Sequence, residues 1–241
     1  MKLFSKTDKG QIRSSNQDSF FAGELSSGAV FGIVCDGMGG ANAGNVASET
    51  AVKVISEYIL RSYRIGMDEF ETEKILKNAT DSANLEIFEM ASSNEELSGM
   101  GTTAVIALVQ DNKAVIANVG DSRIYLLGDE ITQLTRDHSV VQSLIESGKI
   151  SPEDAKAHPR KNVITRAIGA ESDVVTDTSV VELSGAKALL LCSDGLSSFV
   201  SAEQILEVFK CNEPKDVPEK LVELANKAGG GDNITVVLLT L

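Results

Sequence analysis

Short apolar runs alternate with polar segments along the chain, and two of these runs end at an acid followed by glycine. The apolar, β-branched residues 31–35 predict a buried strand, and Asp36 and Gly37 follow them directly. A second apolar run, residues 188–192, leads in a similar way to Asp194. An Asp-Gly pair after a strand is typical of a hairpin turn. The competing interpretation is a ligand site, because glycine lets backbone carbonyls and a ligand approach the acid closely.

The rest of the pattern predicts antiparallel strands with helices between them. Apolar positions at spacings of three and four predict helices over residues 45–64 and 68–91, each with one apolar face. Ser151 and Ser201 each open a further helix with a capping signature. The predicted strands are residues 2–7, 19–22, 29–36, 104–110, 113–119, 123–127, 163–168, 174–183, 188–192 and 234–241. The other predicted helices are residues 136–148, a short helix from 151, 202–209 and 215–228.

The organisation of the chain indicates one unit with an insertion. No linker, low-complexity tract or repeat of fixed period divides it, so we expect a single domain over residues 1–241. Residues 136–162 form a helical insertion between predicted strands. We expect this insertion to act as a flap over a site.

Composition limits the classes of partner. The chain has 241 residues and a formal net charge of −13, which argues against a nucleic acid or an anionic membrane as partner. The first residues lack the apolar core of a signal peptide, and the longest apolar runs are too short to span a bilayer. Three cysteines, Cys35, Cys192 and Cys211, have no metal-type spacing and indicate reduced thiols. We therefore expect a cytoplasmic protein.

Acids beside glycine recur where predicted strands begin or end. The acids are Asp36, Asp121, Asp194 and Asp232. Strand ends of antiparallel sheets gather at two edges, so several of these acids can converge at one edge. Converging carboxylates repel one another unless a cation neutralises them. A cluster of oxygen ligands without a His or Cys pattern favours Mg²⁺ or Mn²⁺ over Zn²⁺.

Two residues of the polar loop before the second strand extend this candidate site. Asp18 is a fifth candidate acid, and Arg13 is a candidate phosphate clamp because its guanidinium fork matches two phosphate oxygens. More than one divalent ion bridged by a carboxylate is the usual device for in-line displacement at phosphorus. The spacing alone leaves the metal site and a set of structural turns as equal alternatives.

Six short motifs occur in an order that resembles a known family. They are Arg13-x-x-Asn-Gln-Asp18, Asp36-Gly-Met-Gly-Gly40, Gly101-Thr-Thr103, Gly120-Asp-Ser-Arg123, Ser193-Asp-Gly195 and Gly231-Asp-Asn233. Together they are similar to the metal-dependent Ser/Thr protein phosphatases of type 2C, in their compact bacterial form. The resemblance covers nearly the whole chain. It implies an α+β fold, a four-layer αββα sandwich of two antiparallel β-sheets packed face to face with helix pairs outside.

The resemblance also implies a ligand set for two Mn²⁺ or Mg²⁺ ions and a third, weakly bound ion. By position, Asp36 resembles the carboxylate that bridges two metals, and the carbonyl of Gly37 would bind the second. Asp194 and Asp232 would complete the first, and Asp18 would act through bound water. Asp121, together with Asp194, resembles the pair that holds the third metal.

The activity implied by the resemblance is hydrolysis of phosphoserine and phosphothreonine in proteins. A metal-bridging hydroxide would attack phosphorus directly, without a phosphoenzyme, while Arg13 holds the phosphate oxygens. The implied partners are phosphoproteins and a cognate bacterial Ser/Thr kinase, and we expect a monomer that binds neither nucleic acid nor membrane.

The sequence departs from the family at the position of a candidate general acid, a histidine. Many members carry His after the Asp-Gly, where this chain has Met38, and Ala41 stands where some relatives have another His. The histidines of the chain are His138 and His158, in or beside the predicted flap, and we interpret both as structural. One alternative function is a regulator phosphatase for a single phosphoprotein. Another is a catalytically inactive module of the same fold that binds phosphopeptides or metal, but no matched acid is missing.

Overall fold

The computed structural model describes residues 1–25, 28–40 and 43–241. The strands are β1 (Lys2–Asp8), β2 (Asp18–Glu24), β3 (Val30–Met38), β4 (Gly101–Thr102), β5 (Ala104–Gln110), β6 (Lys113–Val119), β7 (Arg123–Leu127), β8 (Ile131–Gln133), β9 (Asp177–Glu182), β10 (Ala188–Cys192) and β11 (Ile234–Thr240). The α-helices are α1 (Ala43–Ser62), α2 (Glu69–Ser93), α3 (Val140–Glu146), α4 (Pro152–Lys156), α5 (Asp194–Ser197), α6 (Ala202–Cys211) and α7 (Val217–Lys227). A short 3₁₀ helix, Glu95–Leu97, follows α2.

These strands form two antiparallel sheets. Within the described residues, one sheet has five strands in the order β1-β11-β10-β7-β8. The other has six, in the order β2-β3-β5-β6-β9, with β4 pairing with β3. Helices α1 and α2 pack on the six-stranded sheet, whereas α6 and α7 pack on the other. The predicted α+β sandwich with helices outside is therefore confirmed.

Apolar contacts on both faces of each sheet hold the layers together. Val34 of β3 and Leu191 of β10 lie in the cluster between the sheets. Their neighbours in sequence turn the other way: Ile33 and Cys35 pack toward α1 and α2, and Cys192 packs toward α6 and α7. Because successive side chains of a strand point to opposite faces, a strand covered on both faces needs an unbroken apolar run. This requirement explains the runs seen in the sequence.

Most predicted elements occur within a few residues of their predicted bounds. The clearest error concerns residues 163–168, which were predicted as a strand but make only isolated bridges at Ile164 and Ile168. Strand β8 and helix α5 were not predicted, because three or four residues are too short for a periodic signal. Capping boxes are present at Ser151 and Ser201, as predicted.

The hairpin-turn interpretation of Asp36 and Gly37 is wrong. Strand β3 continues through both residues to Met38. Asp36 pairs with Asp18 of β2, and Gly37 pairs with Thr102 of β4. Because both residues are paired inside a β-ladder, they do not form a turn, and the requirement for glycine at position 37 must come from another contact.

Two further expectations concern membrane-spanning segments and the cysteines. No helix in the described ranges is both long and apolar enough for a bilayer crossing. Cys35 and Cys192 are fully buried in the core, and burial raises the pKa of both thiols. They pack as small hydrophobic residues, whereas Cys211 is exposed.

Candidate active site

A polar cleft of about 220 Å³ lies at one edge of the sandwich, where the loops after several strands meet. Its described lining residues are Arg13, Gln17, Asp36, Gly37, Met38, Gly39, Thr103, Asp121, Asn162, Ile164, Asp194, Asp232 and Asn233. Asp18 lies just behind this lining and is itself buried. The fold thus gathers every predicted site residue at one place, although the residues are spread along the chain from 13 to 232.

Strand pairing places the first two acids side by side. Asp18 and Asp36 are directly opposite each other on β2 and β3, so their side chains share one face of the sheet. Burial raises the pKa of Asp18 to about 7, even though the hydroxyl of Ser193 donates a hydrogen bond of 2.7 Å to its Oδ2. Burial and the charge of Asp18 raise the pKa of Asp36 well above its ordinary value. The charge of Asp18 therefore adds to the cost of ionising Asp36, while the charges of Asp194 and Asp232 add to the cost at Asp18.

Gly37 is required by the close approach of two other segments. A Cβ atom at this position would collide with the carbonyl oxygen of Gly44 at the start of α1 and with that of Gln17. The amide of Gly37 donates to the same Gln17 carbonyl, at 3.1 Å. The glycine lets the loop before β2 and the beginning of α1 close around the end of β3.

A second glycine brings the next two acids together. Asp194 is the first residue of α5, immediately after β10, and Asp232 precedes β11. A Cβ atom on Gly195 would collide with the carbonyl oxygen of Asn233, so glycine allows the two loops to touch. Burial raises the pKa of Asp194, and the charge of Asp232 raises it further.

Asp121 approaches the same cleft from the six-stranded sheet. It follows Gly120, directly after β6. Burial raises the pKa of Asp121 to about 7, and the charge of Asp194 adds to the rise. Asp194 is thus electrostatically coupled to acids on both sides of the cleft, Asp121 and Asp232.

The positive charge at this cleft is small compared with its acidity. Arg13, half exposed, donates from Nη2 to Oδ2 of Asp232 at 2.7 Å. Oδ1 of Asp18 and Oδ1 of Asp194 are buried without a hydrogen-bond partner. In the described part of the chain, no three His, Cys, Asp or Glu side chains already close around one point in the manner of a metal site. The donor chemistry nevertheless fits Mg²⁺ or Mn²⁺, because the groups are hard oxygens whose charges and unpartnered atoms a divalent cation would satisfy.

The two positions where family members carry histidine, and the two histidines of this chain, lie in different places. Met38 lines the cleft where the family often has His, and Ala41 lies outside the described residues. Among the described lining residues there is no histidine. His138 is buried behind the cleft, and Nδ1 of His158 accepts a hydrogen bond from the amide of Arg160. Their geometry agrees with the structural interpretation of both histidines.

Sequence reasoning missed several residues that shape the cleft. Thr103 accepts a hydrogen bond from the amide of Asp36 at 3.0 Å and bonds the hydroxyl of Ser122 at 2.7 Å. Asn233 accepts from the amide of Gln17, so it ties the loop before β2 to the loop before β11. Asn162, at the end of the predicted helical insertion, also lines the cleft. Thr103, Ser122 and Asn233 lie inside the quoted motifs, but nothing in the local sequence indicates a role for Asn162.

The two-sheet sandwich and its acidic edge cleft define the class of protein. They are the architecture expected from the motifs, and the sequence model of the protein phosphatase 2C family matches residues 9–225. The chain therefore belongs to this family, whose members are protein-serine/threonine phosphatases. The resemblance of the six motifs is confirmed.

Particular relatives are bacterial phosphatases. The chain is 43% identical over 236 residues to the serine/threonine phosphatase stp of Listeria monocytogenes, covering 97% of this chain and 93% of that protein. It is 39% identical to protein phosphatase PhpP of Streptococcus pneumoniae, covering 100% and 98%. The crystal structure of the serine/threonine phosphatase Stp1 from Staphylococcus aureus is similar with a TM-score of 0.94 and 35% identity, covering 100% and 94%.

Proposed function

We propose that this protein hydrolyses phosphoserine and phosphothreonine in proteins at the acidic cleft, with Mn²⁺ or Mg²⁺ bound there. The observation that carries the proposal is the convergence of five acids and one arginine at this edge of the sandwich. The residues are Arg13, Asp18, Asp36, Asp121, Asp194 and Asp232. Family membership supports the reaction class and the metal dependence.

Each acid has a proposed role in holding divalent ions. Asp36 would help to hold both of two ions, the carbonyl of Gly37 would help to hold the second, and Asp194 and Asp232 would complete the first. Asp18 would act through bound water, and Asp121 with Asp194 would hold a third ion. When bound, the ions supply a water of lowered pKa and positive charge opposite the phosphate.

The lining of the cleft favours attack by water over a side-chain nucleophile. Among the described lining residues, Thr103 carries the one hydroxyl, and that oxygen already bonds the amide of Asp36 and the hydroxyl of Ser122. The thiols of Cys35 and Cys192, each one or two residues from a cleft acid in sequence, are buried in the core with raised pKa values. A covalent phosphoenzyme needs an activated nucleophile in reach of phosphorus, and the carboxylates of the lining are assigned above to the ions. We therefore propose single-step hydrolysis.

Arg13 is the proposed phosphate clamp. Its guanidinium is half exposed and reaches the cleft edge through its ion pair with Asp232. An arginine fork can hold two phosphate oxygens at once. Binding of a phosphate would exchange the carboxylate partner of Arg13 for the ligand, and would leave Asp232 available to a cation.

The wider setting is proposed from the family and from composition. A phosphatase of this family would oppose a Ser/Thr kinase in the same cell, and the relatives are bacterial. We propose a cytoplasmic monomer, and the net charge of −13 favours selection of substrates by local contacts at the cleft and the proposed flap rather than by general attraction.

The test is hydrolysis of p-nitrophenyl phosphate and of a phosphothreonine peptide in EDTA, Mg²⁺ or Mn²⁺. We expect metal-dependent release that is lost in Asp194→Asn and kept in the exposed control Asp173→Asn. No release with any metal, from a folded protein that still retains the phosphopeptide, would instead establish an inactive binding module. Equal activity in Asp194→Asn would contradict the role of the cleft.

A further inference from the structure

The backbone of Gly120 is held on both of its polar atoms by one residue, His138. The amide of His138 donates to the carbonyl of Gly120 at 2.9 Å. The amide of Gly120 donates to Nδ1 of His138 at 3.0 Å. Gly120 immediately precedes Asp121, whose carboxylate lines the cleft. A side chain outside the lining of the cleft is thus bonded to the turn that presents one of its acids.

The geometry around the imidazole determines which nitrogen carries the proton. Nδ1 accepts from Gly120, so Nδ1 must be unprotonated and Nε2 must carry the hydrogen. Nε2 lies 3.0 Å from Oδ2 of Asp177, a suitable acceptor. Arg166 also approaches Nε2, but its Nη1 donates to Oδ1 of Asp177 at 2.7 Å and to the carbonyl of Val175. The network therefore requires a neutral imidazole with hydrogen on Nε2.

The environment keeps this imidazole neutral and fixed. The side chain of His138 is 1% exposed, and burial lowers its pKa. The segment that carries it is bonded at three further points. The side chain of Asn118 donates to the carbonyl of Arg136 at 2.8 Å, and the amide of Thr165 donates to the carbonyl of His138 at 2.8 Å. The carboxylate of Asp137 binds Arg123 through two nitrogens.

The same turn is connected to the strand that carries Asp36. Ser122, the residue after Asp121, bonds the hydroxyl of Thr103, which in turn accepts from the amide of Asp36. The turn therefore has one attachment on each side of Asp121: Gly120 to His138 and Ser122 to Thr103. The backbone of Asp121, held on both sides by these groups, cannot move away from the cleft without breaking one of the two attachments.

We propose that His138 is a positioning residue for Asp121, and that it acts through the acceptor Nδ1, which the Asp177 carboxylate keeps available by accepting a hydrogen bond from Nε2–H. His138 would fix the Gly120–Asp121 turn at the cleft without touching substrate. The proposal rests on the proposed function for its effect on metal binding. Its effect on the turn is independent of that function.

The first test is the protonation of the imidazole, measured by ¹⁵N NMR. The chain has two histidines, so His158→Gln leaves His138 as the single source of signal. We expect an unprotonated Nδ1 and a protonated Nε2 at neutral pH. A hydrogen on Nδ1 would overturn the proposal, because that nitrogen could then not accept from Gly120.

The second test compares two variants of equal shape, His138→Asn and His138→Leu. The side-chain oxygen of Asn can replace Nδ1 as the acceptor for the Gly120 amide. Leu has the same branched shape but carries only methyl groups, so it offers no acceptor. In metal-free protein, we expect the Gly120 amide to exchange with solvent about tenfold faster in the Leu variant than in the Asn variant. Both variants lose the Asp177 contact and the ring, so a purely packing role would affect them alike.

The third measurement is binding of Mn²⁺ alone, followed by the EPR signal of the unbound ion. Asp121→Asn defines the part of the binding that depends on Asp121. We expect His138→Leu to weaken that part about tenfold and His138→Asn to weaken it much less. Equal binding and equal Gly120 exchange in the two variants would overturn the proposal.

The measurements separate failure of this inference from failure of the proposed function. If the wild type binds no Mn²⁺ at all, the metal function is wrong, and if it binds Mn²⁺ but none through Asp121, only the third-ion role of Asp121 is wrong. In both cases the imidazole protonation and Gly120 exchange still decide the role of His138. If the Leu variant does not fold, the imidazole measurement alone decides the role of His138, because it uses the His158→Gln protein, in which His138 is intact. If both variants bind Mn²⁺ as the wild type does and the Gly120 amide exchanges slowly in both, the positioning role of His138 is wrong and the proposed function is unaffected.

Discussion

Replacing Asp18 by Asn should stabilise the metal-free protein at high pH. Asp18 is buried, one of its oxygens has no hydrogen-bond partner, and burial raises its pKa to about 7 from an ordinary value of 3.8. Asn keeps the size of the side chain and an acceptor for the hydroxyl of Ser193, which donates to Asp18 at 2.7 Å. It removes a negative charge that lies opposite Asp36.

The sign and size of the effect follow from the two pKa values. The carboxyl of Asp18 holds its proton more tightly in the folded protein, so its ionisation opposes folding. This cost is absent below about pH 4, grows as the pH rises toward about 7 and is constant above that. At about 1.4 kcal/mol per pKa unit, the difference from 3.8 to about 7 corresponds to about 4 kcal/mol at pH 8, and to about 1.5 kcal/mol at pH 5.

The assay is urea unfolding of wild type and Asp18→Asn in EDTA at pH 5 and pH 8, followed by circular dichroism. We expect the variant to gain up to about 4 kcal/mol at pH 8 and clearly less at pH 5. Saturating Mn²⁺ should reduce or reverse the gain, because an ion that binds only the folded wild type stabilises it. The control Asp173→Asn is exposed and should change the free energy of unfolding by less than about 0.5 kcal/mol. A variant that is less stable than wild type at pH 8 in EDTA, or a gain independent of pH, would refute the reasoning.

Three further predictions concern the clamp, the shared acid and the close approach of two loops. Arg13→Ala should lower kcat/KM for a phosphopeptide about 10- to 100-fold through loss of charged hydrogen bonds, and an unchanged kcat/KM would exclude the clamp. Asp36→Asn should reduce turnover to background at every Mn²⁺ concentration while the protein stays folded, and wild-type turnover at matched metal would contradict its shared role. Gly195→Ala should lower the free energy of unfolding by about 1–3 kcal/mol, because the new Cβ would collide with the carbonyl of Asn233; an unchanged urea midpoint would show that the loop yields.

Residues with a strong local signal were predicted well. The long helices α1 and α2 and the strands from β5 to β7 occur close to the predicted positions. Their signals, the spacing of apolar residues and the residues typical of turns, depend only on residues near each other in sequence. The segment 163–168 has β-branched residues, but in the described structure it pairs only through isolated bridges, Ile164 with Ser139 and Ile168 with Thr102, and forms no ladder. The Asp36-Gly37 pair has the local form of a turn, yet β2 and β4 pair with it and continue the strand. In each error, the presence or absence of continuous pairing with residues distant in sequence decided the conformation.

The sequence by itself determined the residue types of the site, their order and the family, because motifs and hydrophobic periods are local properties of a chain. Only the tertiary structure decided what those residues experience. Arg13 meets Asp232 and Asp18 meets Ser193 across 219 and 175 positions of sequence, through strand pairing and glycine contacts that no short motif contains. The raised pKa of Asp18 and the fixed tautomer of His138 both arise from burial beside particular partners. Burial and partnership are properties of the folded chain, since they depend on distances that only the packed sheets set.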